Sequence, residues 1–174
     1  MALIIEDGTG MAAAESYISV ADATTYHTAR GNAAWAAVAS DTIREQLLRK
    51  ATDYMVASYR ERWDGYRVTT TQALDWPRYE VPIRDSATQG VYAAFYDSDS
   101  VPAAVAKACA ELALRAIDGD LAEDLDIPVI SETIGPISTT YAEGGRQTKV
   151  FRAVDAMLSP FFKGAGGMLK VSRA

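Results

Sequence analysis

The chain has 174 residues and 18.7 kDa, with 49% apolar and 23% charged residues, enough for one buried core with appended arms. Its single cysteine, Cys109, excludes an internal disulfide framework and a multi-cysteine metal centre, and a net charge of −6 argues against a surface built to hold phosphate. The charge is unevenly divided: residues 1–145 carry 11 Lys+Arg against 22 Asp+Glu, whereas residues 146–174 carry Arg146, Lys149, Arg152, Lys163, Lys170 and Arg173 against Asp155 alone.

An acidic body with a basic C-terminal arm marks that arm as a docking element for something acidic. The 31 alanines predict a mainly helical fold, a small helical bundle, because alanine is the best helix former and a poor strand former. The start, MALIIEDG, has neither the basic n-region of a signal peptide nor a long apolar run, so synthesis in the cytoplasm without a membrane contact is expected.

In chain order, Ile4 to Gly10 reads as a short extended arm closed by a glycine turn, and residues 1–18 as an N-terminal arm. Ser19 with Asp22 three residues on reads as a helix start, the helix running to about Arg30 and stopping at Gly31. A short helix from Asn32 to Val38 carries Trp35. Asp41 is the expected cap of the best-patterned helix, with Ile43, Leu47, Leu48, Ala51, Tyr54, Met55 and Ser58 along its apolar face and Glu45–Arg49 as an i,i+4 pair on the solvent side.

Residues 63–101 break the pattern and predict a long irregular loop, with Trp76 held extended by Pro77. Pro102 opens the second strong helix, with Val105, Cys109, Leu112 and Ala116 facing one way and Glu111–Arg115 paired; Asp118-Gly119 ends it. Val129-Ile130 and Ile137 to Tyr141 predict a hairpin over 129–141 around Gly135-Pro136, and Val150 to Leu158 a last helix ended by Pro160. Beyond it Gly164-Ala165-Gly166-Gly167 tethers Met168-Leu169-Lys170-Val171. The domain reading is therefore an arm (1–18), a helical body (19–145) and a basic C-terminal helix with a docking arm (146–174).

No catalytic, cofactor-binding or metal-binding residues are expected. Gly8-Thr9-Gly10 lacks the third glycine of a dinucleotide loop, and Gly164 to Gly167 lacks the Lys-Ser/Thr of a phosphate loop. An EF-hand starting at Asp118 needs glycine and glutamate where Glu123 and Val129 stand. Cys109 reads as a buried structural thiol, and the lone histidine, His27, as a partly exposed surface residue. With one histidine and no serine elbow, acyl transfer has no residues to use.

The aromatics of the irregular middle (Trp63, Tyr66, Trp76, Tyr79, Tyr92, Phe95 and Tyr96) are interleaved with Arg60, Arg62, Arg67, Arg78 and Arg84. Such a mixture can stack and hold single-stranded nucleic acid. It can equally be a loop packed on the helices through its large side chains with arginines at the rim, the reading that the acidity of the first 145 residues favours.

Taken in order, Ala14-Glu15-Ser16-Tyr17-Ile18-Ser19, Tyr26, Arg30-Gly31-Asn32-Ala33-Ala34-Trp35, Arg49-Lys50-Ala51-Thr52-Asp53-Tyr54, Gln72-Ala73-Leu74-Asp75-Trp76-Pro77-Arg78, the helix after Val101-Pro102, and Ile134-Gly135-Pro136-Ile137 form a set over nearly the whole chain. This set resembles the head–tail adaptor (connector) proteins of long-tailed bacteriophages, in the subgroup labelled DnaT-like single-stranded-DNA-binding protein. The resemblance implies a non-enzymatic virion subunit without cofactors, assembled in the host cytoplasm and resident at the virion neck. It further implies a homo-oligomeric, dodecameric type of ring, about a dozen copies, between the portal protein and a stopper or tail-completion protein. DNA would pass through the channel without sequence-specific binding.

In that family the C-terminal segment reaches the portal, which points to Arg152, Phe161, Phe162, Lys163, Met168, Leu169, Lys170 and Arg173 as portal-docking residues. Trp76, Arg78, Tyr92, Phe95 and Tyr96 are the matching expectation for a subunit or tail-side interface. The alternatives are a single-stranded-DNA-binding replication protein and a different structural virion protein, such as a stopper or tail-completion protein, whose strand-richer folds fit an alanine-rich chain less well.

Overall fold

The structure, a computed structural model, describes residues 2–86, 94–123, 129–133, 138–141 and 148–164, and it is mainly helical. Helix α1 (Val20–Thr28) starts as its sequence dictates: Ser19 is extended, its hydroxyl accepts from the Asp22 N–H at 3.0 Å and donates to the Asp22 carboxylate at 2.6 Å. Helix α2 (Ala33–Ala36) is a single turn that delivers Trp35 to the core.

The cap of α3 (Asp41–Tyr59) is Ser40 rather than Asp41: the Ser40 hydroxyl accepts the Ile43 N–H, and Asp41 sits in the first turn, bound to Arg44 at 2.7 Å. A carboxylate there complements the helix dipole without capping it.

Helix α3 buries Leu47, Leu48, Ala51, Thr52, Met55 and Tyr59, while Ile43 is exposed and Ser58 faces water. The buried stripe is rotated from the apolar pattern because α4 (Ala103–Arg115) lies across Leu48 and Thr52: Cys109 Sγ is 3.4 Å from the Thr52 hydroxyl, which itself donates to Leu48 C=O. Helix α4 buries Val105, Ala108, Cys109, Leu112 and Ala113, with Ala116 at its C-cap, so its expected face is its real one. Burial also pushes the Cys109 thiol above its usual range, the state of an inert packing residue. Helix α5 (Arg152–Leu158) closes the bundle on α4 through Val154 and Leu158.

Two expectations fail for the same reason. His27 is fully buried between α1, α2 and α4, its Nε2 3.1 Å from Ala110 C=O and its Nδ1 2.9 Å from the Asn32 amide nitrogen. A carbonyl can only accept, so Nε2 carries the proton and Nδ1 accepts from Asn32. Residues 2–18 likewise do not project as an arm. They fold back through a parallel bridge between Ile5 and Ser16 and place Ala14, Tyr17 and Ile18 in the core.

The turn in that segment is organised by Glu6, a buried carboxylate that accepts the N–H groups of Gly8 (3.0 Å), Gly10 (2.8 Å) and Met11 (2.8 Å). Gly8 presses on the backbone of Asp99, where a Cβ would overlap the carbonyl.

Residues 63–86 and 94–101 are irregular but not peripheral. Strands β1 (Tyr66–Arg67) and β2 (Arg78–Tyr79) pair antiparallel, a bridge joins Pro82 to Phe95, and the Trp76–Pro77 peptide is cis. Gly65, at φ +63°, turns into β1 so close to the Tyr79 carbonyl that no side chain fits. The predicted hairpin is present as β3 (Val129–Thr133) and β4 (Ser138–Tyr141), antiparallel with a register shift between Val129 and Ser131; its turn, with Gly135, Pro136 and Ile137, lies outside the described residues.

Candidate interaction surfaces

The aromatic–arginine region is built from the end of α3, the β1–β2 ribbon and the segment after α5. Trp63 and Trp76 are fully buried and meet edge to face at 5.9 Å. Phe162 stacks on Tyr59 at 5.6 Å and lies 5.1 Å from Trp63; Phe161 meets Trp76 at 5.5 Å and Tyr96 at 4.9 Å. This is a core, held by aromatic packing worth about 0.5–1.5 kcal/mol per pair beyond area burial. The C-terminal chain is tied into it by a bridge between Trp63 and Phe162 and by Lys163 N–H donating to Arg62 C=O at 2.7 Å.

Of the five arginines Arg78 alone enters that core, and the others stand exposed at its rim, as the packed-loop reading expects. Arg78 is buried and forks onto the carbonyls of Asp64 (2.7 Å), Gly65 (2.6 Å) and Asp75 (3.2 Å); burial lowers its pKa, and the planar fork explains why arginine rather than lysine stands there. Arg60 pairs with buried Asp75 at 2.9 Å, Arg62 with Asp155 at 3.1 Å, and Arg84 with Asp64 at 2.8 Å. Arg62 also lies over the Phe162 ring at 4.1 Å.

Beside them a cleft of about 630 Å³ is lined by Arg60, Arg67, Arg78 and Lys163 but equally by Glu61, Asp64, Asp75 and Glu80. Its charges balance, so it does not concentrate a polyanion. Outward among the described aromatics of this region are Phe95 and a cross-strand pair, Tyr66 (61% exposed) and Tyr79 (42%), with ring centres 6.1 Å apart.

The residues expected to dock partners are thus divided by the fold. Phe161, Phe162, Trp76 and Arg78 are buried within the subunit, so none offers its side chain to a partner. Tyr96 is half-buried against Phe161, while Phe95 (51% exposed), Arg152 and Lys163 face water. Tyr92, Met168, Leu169, Lys170 and Arg173 lie outside the described residues.

A second concavity had no counterpart among the sequence expectations. A groove of about 520 Å³ lies between the Ile5–Asp7 segment and the first turns of α1 and α4, with Ile18, Val101, Ala103 and Ala106 in its lining and Asp7, Asp22 and Lys107 around it. Its residues come from three distant stretches, and the one signal in the sequence was the glycine turn expected to close the Ile4–Gly10 segment.

Among the described residues there is no group of three or more His, Cys, Asp or Glu able to hold a metal ion, and no helix long and apolar enough to cross a membrane. Searches of curated proteins and of solved structures return no match to the chain. A family model does match, over residues 1–174, and no catalytic family is indicated. With every residue covered by that match, the chain belongs to the family described as "Putative DnaT-like ssDNA binding protein".

Proposed function

We propose that this protein is a structural subunit of a phage head–tail connector: a ring of about a dozen copies between the portal and the stopper or tail-completion protein, extending the DNA channel at the virion neck. The observation that carries this reading is the fate of the aromatic–arginine region. Much of the feature on which a DNA-binding groove would rest is consumed: Trp63, Trp76 and Arg78 are core, and the rim residues Arg60, Arg62 and Arg84 are paired with carboxylates of the same subunit. What is left for partners is an acidic body and a basic C-terminal stretch. An acidic channel wall lets DNA slide rather than stick, and the exposed cations Arg152 and Lys163 lie at the root of the basic stretch, where a portal surface of opposite sign would meet them.

The test is to mix the purified protein with the portal encoded in the same genome and to image the mixture by negative-stain microscopy. A second ring stacked on the portal's narrow end is expected, and Arg152→Glu with Lys163→Glu should abolish stacking while leaving the fold intact. No added density at any ratio refutes the adaptor reading.

A second reading, single-stranded-DNA binding, is favoured by the family's description and by the exposed Tyr66–Tyr79 pair beside Arg67. Titration with labelled oligonucleotide decides it: a binder shows micromolar or tighter affinity that falls steeply with salt and is lost in Tyr66→Ala/Tyr79→Ala.

A further inference from the structure

The segment around Ile5 is a strand with one side in use and one side free. Glu6 N–H donates to Ser16 C=O at 2.9 Å and Ser16 N–H donates to Ile4 C=O at 3.2 Å. In such a parallel bridge the N–H and C=O of Ile5 itself point the other way, and neither finds a partner among the described residues. Ile5 is 37% exposed, and Ile5, Glu6 and Asp7 form one wall of the groove that runs to the first turns of α1 and α4. An unpaired strand edge beside an apolar groove is the geometry that captures an extended segment: main-chain hydrogen bonds supply affinity and alternate side chains enter the groove.

We infer that this groove receives residues 168–171 of a neighbouring copy, Met168-Leu169-Lys170-Val171, added as a strand along Ile5. The sequence of that segment fits on three counts. Its alternation sends Leu169 and Val171 to one side, suited to the lining of Ile18, Val101 and Ala106, and Lys170 to the other. Lys170 and Arg173 are cations, and the acids at the groove, Asp7 and Asp22 with buried Glu6, outnumber its one cation, Lys107. The residues before it, Gly164-Ala165-Gly166-Gly167, are a tether able to cross from one subunit to the next.

Each subunit then gives one strand and receives one, a head-to-tail contact of the kind that closes a ring. The inference rests on the ring reading for its choice of a neighbouring copy. It moves Met168 and Leu169 from the portal contact to the subunit contact, and leaves Arg152 and Lys163 to the portal.

The experiment uses the full chain carrying Ile5→Cys and Leu169→Cys, oxidised both free and after mixing with the portal, and run on non-reducing gels. The native thiol Cys109 is buried and takes no part. A ladder of covalent dimers, trimers and higher species is expected, absent from either single variant and at least tenfold weaker in the pair Tyr66→Cys/Leu169→Cys, whose exposed partner lies away from the groove. Cross-linked monomer alone would place the segment in its own subunit and overturn the exchange. A ladder no stronger than the Tyr66 control would overturn the groove as its seat. Microscopy of the same mixtures separates the two readings: rings on the portal without a ladder refute the strand exchange only, whereas absent rings refute the adaptor.

Discussion

Phe161→Ala tests the claim that the C-terminal phenylalanines are core rather than docking residues. Phe161 is 3% exposed, wedged between Trp76 at 5.5 Å and Tyr96 at 4.9 Å. Truncating a buried phenylalanine costs about 3–5 kcal/mol, from the lost transfer term and the cavity left behind. For a chain of this size each kcal/mol moves Tm by about 2–4 °C, so the expected fall is roughly 6–20 °C. Thermal unfolding followed by circular dichroism and by tryptophan fluorescence reads it directly, because Trp76 touches the substituted ring and Trp63 lies 5.9 Å beyond. The paired control is a chain ending at Gly164, which retains Phe161, Phe162 and their bridge to Trp63 and is expected to melt as the full chain does. A Phe161→Ala variant that melts within 2 °C of the parent, roughly the effect of 1 kcal/mol or less, would refute the packing argument and return the ring to the docking surface.

Glu6→Gln removes a charge that holds three backbone N–H groups, and replaces one acceptor oxygen with a donor facing donors; a loss on the order of 2–3 kcal/mol is expected by denaturant titration. Arg78→Lys keeps the charge but cannot reach three carbonyls at once, so buried acceptors at Asp64, Gly65 and Asp75 lose partners and stability falls by about 2 kcal/mol, read by the same titration. Burial holds the His27 imidazole below its ordinary 6.5, so the unfolded chain binds the proton more readily. The stability from neutral His27 is therefore fully present above pH 6.5 and lost as pH falls below it. Unfolding midpoints at pH 7.5, 6 and 5 should drop more steeply for the parent than for His27→Gln, and parallel profiles would remove His27 from the account.

What can be read from the sequence about this protein is whatever depends on near neighbours in the chain. The Ser19 cap, the Gly31 stop and the α4 face with Cys109 at its centre follow from spacings of one to four residues, and the hairpin of β3 and β4 from pairs 5 to 12 residues apart, and the structure has them. The charge division between body and C-terminal stretch is a property of composition alone.

What only the tertiary structure decides is which side of an element another element covers. His27, with its polar neighbours Thr24 and Thr25, looked exposed until α4 brought Ala110 C=O against its ring. Phe161, Phe162, Trp76 and Arg78 read as docking residues until the end of α3, the β1–β2 ribbon and the chain after α5 met around Trp63 and Trp76. The free edge at Ile5 has the same origin. A strand edge exists only once one side has found its partner, and here that partner, Ser16, arrives through a turn in which the N–H groups of Gly8, Gly10 and Met11 converge on the single carboxylate of Glu6. Local pattern sets which elements form, while burial and pairing depend on contacts between residues far apart in the chain, which periodicity does not encode.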